Sequence, residues 1–183
     1  SLYEIAKIET NRYVAVCNMM RSAFRGHEWD KAMVDAERVM ADVNTDSSVK
    51  TEAMYVKARA CLATSRRDEA FVLLETLAKD MTTSYGAEAA YRIIQDCYDR
   101  GDFQQVEDKV YAFADAGSGQ TYWLARCFIV LGDSFMERDD VEQAKATFES
   151  VRDGYTPVGD DDVLDNVRMR LKKIEEVSVN QQN

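Results

Sequence analysis

Phe128-Ile129-Val130-Leu131-Gly132-Asp133-Ser134-Phe135, followed across Asp139-Asp140 by Val141-Glu142-Gln143-Ala144-Lys145-Ala146-Thr147-Phe148-Glu149-Ser150-Val151, decides the fold. Phe128, Leu131, Gly132 and Phe135 are spaced by three, one and three residues; Val141, Ala144, Phe148 and Val151 by three, four and three. Each spacing puts four side chains on one stripe of an α-helix, because positions three and four apart share a face. An aspartate between two such stripes can end one helix and cap the next. The stretch reads as two amphipathic helices joined by a tight turn.

Upstream, the same pair of stripes recurs three times. First helices carry Val16, Met19, Met20, Ala23; Met54, Lys57, Ala58, Cys61; and Ala90, Ile93, Ile94, Cys97. Second helices carry Trp29, Ala32, Ala36, Val39; Arg67, Ala70, Leu74, Leu77; and Phe103, Val106, Val110, Phe113. The turns between them read Gly26-His27-Glu28-Trp29, Ser65-Arg66-Arg67 and Gly101-Asp102-Phe103. The anchors Ala32, Ala70, Val106 and Ala144 stand 38, 36 and 38 residues apart, the signature of a repeat of helical hairpins. Short polar segments, 44–48, 80–84 and 115–120, read as loops and leave no room for an interdomain linker, so residues 1–183 are expected to form a single domain. Ala32, Ala70, Ala144, Phe128, Phe135 and Phe148 are expected in its core. Downstream, Asp160-Asp161-Asp162 precede the stripe Val163, Leu164, Val167, Leu171, Ile174, with Arg168, Arg170, Lys172 and Lys173 toward the far end. Acid first and base last complement the helix dipole, which predicts a capping helix at about 161–177, followed by a frayed polar tail from Ser178 to Asn183.

These residues resemble the tetratricopeptide repeat family. Its pattern places a bulky residue, a Leu, a small residue and an aromatic on the first helix, Gly-Asp-Tyr at the turn, Ala, an aromatic and Ala on the second helix, and Pro near the end. The fourth repeat matches through Phe128, Leu131, Gly132, Phe135, Ala144, Phe148 and Pro157. The third has Gly101-Asp102-Phe103 but Val106 in place of Ala; the second departs at Lys57 and Arg67; the first has Met20 where a small residue lets helices approach. The resemblance covers about residues 12–157 and implies an all-α, right-handed α-solenoid of about four hairpins (12–46, 49–82, 85–118, 121–157) closed by the capping helix.

In such a solenoid the first helices line a concave surface that is the default binding site. Mapping the family pattern onto this chain implies a groove at Cys17, Arg21, Phe24, Glu52, Tyr55, Arg59, Glu88, Tyr91, Gln95, Tyr98, Asp99, Arg126, Asp133, Met136 and Glu137. The partner contacts expected from it are Arg21, Arg25, Tyr55, Arg59, Glu88, Tyr91, Gln95, Tyr98, Asp99, Arg126, Asp133 and Glu137. Tyr55, Tyr91 and Tyr98 would grip an extended segment or helix, or else serve inter-repeat packing. Arg21, Arg25 and Arg59 toward one end, with Asp99, Asp133 and Glu137 toward the other, would orient an acidic-to-basic segment. The carboxylate clamp of chaperone-binding members is not expected: at its positions stand Cys17, Arg21, Val56, Glu88 and Arg92, of which only Arg92 fits. The rival reading is an architectural spacer or self-assembly element with no peptide ligand. The fourth repeat, from Tyr122-Trp123 to Ala144-Lys145, is also similar to the C-terminal repeat of large bacterial tetratricopeptide proteins of the cell envelope, which implies the periplasmic side.

Composition narrows the function classes. Against 23 Lys and Arg stand 33 Asp and Glu, a net charge of -10, which gives no electrostatic footprint for nucleic acid or anionic lipid. The excess is uneven, net -1 over residues 1–92 and net -9 over 93–183. Cys17, Cys61, Cys97 and Cys127 lie 44, 36 and 30 residues apart without a C-x-x-C pair, so they read as packed thiols and no metal site is expected. The only histidine, His27, falls in a predicted turn and has no H-E-x-x-H partner; no nucleophile and base are paired, and neither catalysis nor a cofactor is expected. Gly117-Ser118-Gly119 lacks the third glycine of a phosphate-binding loop and precedes a helix. No apolar run approaches a membrane span. Leu2, Ile5, Ala6 and Ile8 form an apolar stripe with no capping helix ahead of it. Either this edge is a cut surface in a fragment of a longer repeat protein, through which an isolated copy would dimerise weakly, or residues 1–10 fold back on the first repeat's core.

Overall fold

The apolar stripes all lie on α-helices in the computed structural model, which describes residues 1–180. Among the described residues there are nine helices and no strand. They are α1 Leu2–Arg25, α2 Trp29–Ala41, α3 Ser47–Ala63, α4 Arg67–Leu77, α5 Ser84–Asp99, α6 Phe103–Asp115, α7 Thr121–Glu137, α8 Val141–Gly154 and α9 Val163–Asn180. The first eight form the hairpins α1–α2, α3–α4, α5–α6 and α7–α8.

All four hairpin turns are built alike. His27, Ser65, Gly101 and Asp139 hold φ of 58°, 61°, 75° and 59°. The next amide in each turn reaches five residues back: Glu28 to the Ala23 carbonyl (2.9 Å), Arg66 to Cys61 (2.8 Å), Asp102 to Cys97 (2.9 Å) and Asp140 to Phe135 (2.9 Å). The left-handed residue itself donates three residues back, to Phe24, Leu62, Tyr98 and Met136. These paired bonds are the Schellman closure, which satisfies carbonyls the helix end would otherwise orphan. The left-handed residue in the first turn is His27, not the neighbouring Gly26, whose φ is -80°. Asp102 and Asp140 then cap α6 and α8 through the amides of Gln105 and Gln143.

Contacts gather into two compact units, Ser1–Lys79 and Asp80–Asn183. In the first, α2 packs against α1 and α3, and α3 against α4. Met20 is fully buried where the family pattern has a small residue, and α2 buries Ala32 and Ala36 in turn. The irregular Lys57 has a use: its Nζ bonds Glu37 of α2 at 2.9 Å and Glu69 of α4 at 2.8 Å, with only 15% of its side chain exposed. A long stem lies along the core while the charged head binds both neighbouring helices. The irregular Arg67 is exposed and lies over the Phe71 ring at 4.5 Å.

Helix α1 begins at Leu2, ten residues before the expected repeat, under a capping box between Ser1 and Glu4. Leu2, Ile5, Ala6 and Ile8 are exposed, so they do not fold back on the first repeat's core. The capping box starts α1 at Leu2, and with neither Gly nor Pro before Gly26 the helix runs on past the end of α2.

In the second unit α7 packs against α5, α6, α8 and α9, and α8 also receives α9. Phe148 of α8 is fully buried against Gly132 of α7: a Cβ at 132 would stand 2.6 Å from the ring's Cζ and 2.8 Å from Cδ1. Phe135, Ala144 and Val151 are buried beside them, whereas Phe128 is only half-buried. Because α7 is contacted on several sides, it buries residues around most of its circumference, Cys127 and Val130 included, and Phe128 falls at the margin. Val163, Val167, Leu171 and Ile174 of α9 are buried, while Leu164 of the same stripe, one residue round the helix from Val163, is only half-buried. This helix starts two residues later than predicted and runs to Asn180, so 178–180 are helical rather than frayed; residues 181–183 of the predicted tail lie outside the described residues. No described helix is long and apolar enough to cross a membrane.

Candidate functional site

In the Ser1–Lys79 unit, α1 and α3 bring together most of the basic residues mapped to the groove. Arg21 makes a two-point bond to Glu52 (2.7 and 2.6 Å). Arg59 donates to the Tyr55 hydroxyl at 2.7 Å and lies over the Phe24 and Tyr55 rings at 6.0 and 5.7 Å. Phe24 stands edge-on to both Tyr55 and Trp29, each 5.9 Å away. Tyr55 is buried, so its ring is packing between α1 and α3, while Arg25 is exposed at the end of α1. Val56, at a clamp position in the family register, is buried in the core.

A hollow of about 720 Å³ lies elsewhere in this unit, lined by Ala6, Glu9, Thr10, Arg12, Tyr13 and Val16 of α1 with Arg38, Val39, Asp42 and Asn44. It exists because α1 overruns the end of α2. None of the residues mapped to the groove lines it.

In the Asp80–Asn183 unit, α5 and α7 carry a cluster of aromatics around Arg126 and, further along, Tyr98 beside exposed carboxylates. Tyr91, Trp123 and Tyr122 pack in sequence, the first pair tilted with centroids 5.4 Å apart and the second edge-on at 4.9 Å. Arg126 lies over Tyr91 at 5.3 Å and Tyr122 at 5.8 Å and donates to both hydroxyls, at 3.3 and 3.2 Å. Burial opposes its charge; the Tyr91 hydrogen bond and the nearby Asp162 outweigh this and carry its pKa up. At the other end, Tyr98 packs on Phe103 (5.8 Å) and donates to Glu137 at 3.4 Å. Burial raises the Tyr98 pKa, and the field of Asp133 and Glu137 raises it further. Gln95 donates to Asp99 at 2.9 Å. Among the described residues Asp99 and Glu137 are exposed and form no ion pair, whereas Asp96, Glu107 and Asp133 are each held by an arginine.

Two mapped residues are spoken for. Glu88, 8% exposed, accepts both Nε and Nη2 of Arg92 (2.8 and 2.6 Å), which also occupies the one residue that fits the clamp pattern. Asp133 accepts two bonds of 2.7 Å from Arg170 of α9. Sequence reasoning missed Arg170 and Asp162 because both read as dipole-complementing charges of α9. It also passed over Trp123 and Tyr122 as contacts, although two aromatics directly before Arg126 were the available signal.

Among the described residues no three His, Cys, Asp or Glu side chains are placed to hold a metal ion. His27 stands exposed in its turn, 4.9 Å from the Trp29 ring. Comparison with protein-family models, with curated proteins and with solved structures finds no match for this chain.

Proposed function

We propose that this protein is a non-catalytic binding scaffold of tetratricopeptide-like hairpins, and that the α5–α7 face of the Asp80–Asn183 unit holds an extended peptide segment. The observation that carries this reading is the half-buried rings Tyr91, Trp123 and Tyr122 around the Arg126 guanidinium, with half-buried Tyr98 further along the same two helices beside the exposed carboxylates Asp99 and Glu137. Rings that are partly covered offer apolar contact area at low entropic cost, and opposite charges at the two ends set direction more than affinity. From Arg126 to Glu137 is eleven residues of helix, about 16 Å, the span of roughly five extended residues. A segment with acid at one end and base at the other fits that polarity. The period of 38, 36 and 38 residues and the four like turns support the family reading, and a solenoid is what such repeats build.

Selection of random peptides displayed on phage tests the proposal. Enriched peptides should share an acidic and a basic end, and Tyr98→Ala together with Asp99→Lys should abolish their binding. No enrichment, or enrichment indifferent to those changes, would refute it.

A second reading, an architectural element without a peptide ligand, draws on one observation: Arg170 and Asp162 bring the C-terminal segment onto α7. Under that reading removal of α9 changes folding alone, whereas under the first it also changes peptide affinity.

A further inference from the structure

Arg126 on the α5–α7 face is held only by long contacts. Its three polar contacts, to Tyr122 (3.2 Å), Tyr91 (3.3 Å) and Asp162 (3.4 Å), are all at or beyond the long end of the hydrogen-bonding range, and Nε donates to nothing among the described residues. Arg170 meets Asp133 with two bonds of 2.7 Å, and Arg21 meets Glu52 with bonds of 2.7 and 2.6 Å. A guanidinium offers five donors in a planar fork whose natural complement is a carboxylate gripped at two points. Here the fork is fixed between two rings, 29% exposed, and touches its carboxylate at a single point.

That carboxylate is not the main anchor of the segment that carries it: besides Arg126 it accepts one bond, from the Asn166 side-chain amide at 2.9 Å. Asp162 is 63% exposed. The chain around it is anchored by its neighbour Asp161, which accepts from the Tyr155 hydroxyl (2.7 Å) and from the amides of Val158 (2.7 Å) and Val163 (3.1 Å). Further on, Arg170 ties α9 to Asp133. Asp162 can therefore leave Arg126 without releasing the linker or the helix.

We propose that Arg126, walled by Tyr91, Tyr122 and Trp123, is the receptor for a carboxylate of the bound segment, and that Asp162 occupies it as an internal competitor when no ligand is present. This rests on the peptide-binding reading and adds to it a ligand group and a form of self-restraint. The rings favour a carboxylate next to an aromatic or bulky apolar side chain. Removing the competitor raises the fraction of receptive protein, and apparent affinity rises with that fraction.

The test uses small probes followed by the NMR signals of the Arg126 Nε–H and the Trp123 indole N–H. N-acetylphenylalanine presents a chain-terminal carboxylate, acetyl-Glu-Phe-amide a side-chain one, and N-acetylphenylalaninamide none; the tighter of the first two names the source. A carboxylate probe should give saturable shifts below ~50 mM, the amide none, and Asp162→Asn should tighten binding about threefold or more. Arg126→Gln should lose the preference for acid over amide. The proposal is overturned if no carboxylate probe saturates in either the wild type or Asp162→Asn, if Asp162→Asn binds no tighter than wild type, or if the acid preference survives Arg126→Gln. Phage-selected peptides insensitive to Asp162→Asn and Arg126→Gln would sink this inference while leaving the binding face standing. Probe binding without any selected peptide would do the reverse.

Discussion

Replacing Gly132 by Ala adds one methyl group where α7 and α8 approach most closely at a glycine of this hairpin. The new Cβ would stand 2.6 and 2.8 Å from Cζ and Cδ1 of Phe148, where ordinary contact begins near 3.4 Å. The ring is fully buried and Arg170 lies across it at 5.9 Å, so relief requires α8 to shift against α7. Overpacking of this kind costs up to about 3 kcal/mol, and the better helix propensity of Ala returns about 1 kcal/mol. The net loss is roughly 2 kcal/mol, or a urea midpoint lower by about 1 M for a slope near 2 kcal/mol/M. Gly154 supplies the control, because nothing lies within 4 Å of its added Cβ; Gly154→Ala should leave stability unchanged or raise it by up to about 1 kcal/mol. Phe148→Leu removes the clashing Cε1 and Cζ atoms and should become neutral or stabilising in the Gly132→Ala background, a coupling of about 2 kcal/mol in a double-mutant cycle. Urea denaturation followed by far-UV circular dichroism reads the wild type and the four variants. If Gly132→Ala is neutral, or the cycle is additive, α7 and α8 do not interlock through these residues and the fourth hairpin is packed differently.

The left-handed turn residues make an opposite prediction: His27→Gly, Ser65→Gly and Asp139→Gly should each stabilise by about 0.5–1 kcal/mol and nearly additively, while Gly101→Ala destabilises. Thermal midpoints unchanged by all three would contradict the turn geometry. Lys57 holds the Glu69 carboxyl below its ordinary 4.5, so this pair stabilises the fold above that pH and ceases to do so as pH falls through the lower folded value. Lys57→Met should therefore flatten the acid limb of a stability-versus-pH curve, and an unaltered limb would exclude the network. Burial and the bond to Asp161 push Tyr155 up to about 12. Its neutral form is favoured by folding, a contribution complete below pH 10 and lost as pH rises through 12. Ultraviolet titration should lose its component near pH 12 in Tyr155→Phe, and a curve identical in shape to wild type would refute the assignment.

The helices and their pairing were legible in the sequence because helical periodicity is local. Which positions three and four apart are apolar decides which face is buried, and the repetition of that pattern at 38, 36 and 38 residues places every hairpin before any contact is known. The same logic located the turns, but not which residue in them turns left-handed. Gly26 is the better candidate by propensity, yet the count of residues from the end of the α1 ladder assigns the position to His27. Phe128 belongs to the apolar stripe and is nonetheless half-exposed, because burial on α7 depends on where four other helices come to rest. The charges were the least legible of all. Arg21, Arg126 and Asp133 sit where the family register puts groove residues, but their fates are set by Glu52, Asp162 and Arg170, which lie 31, 36 and 37 residues away. A long charged side chain can reach any of several partners across a packed interface, and no spacing in the sequence encodes that choice; only the tertiary structure decides which charges pair within the fold and which stay exposed to solvent.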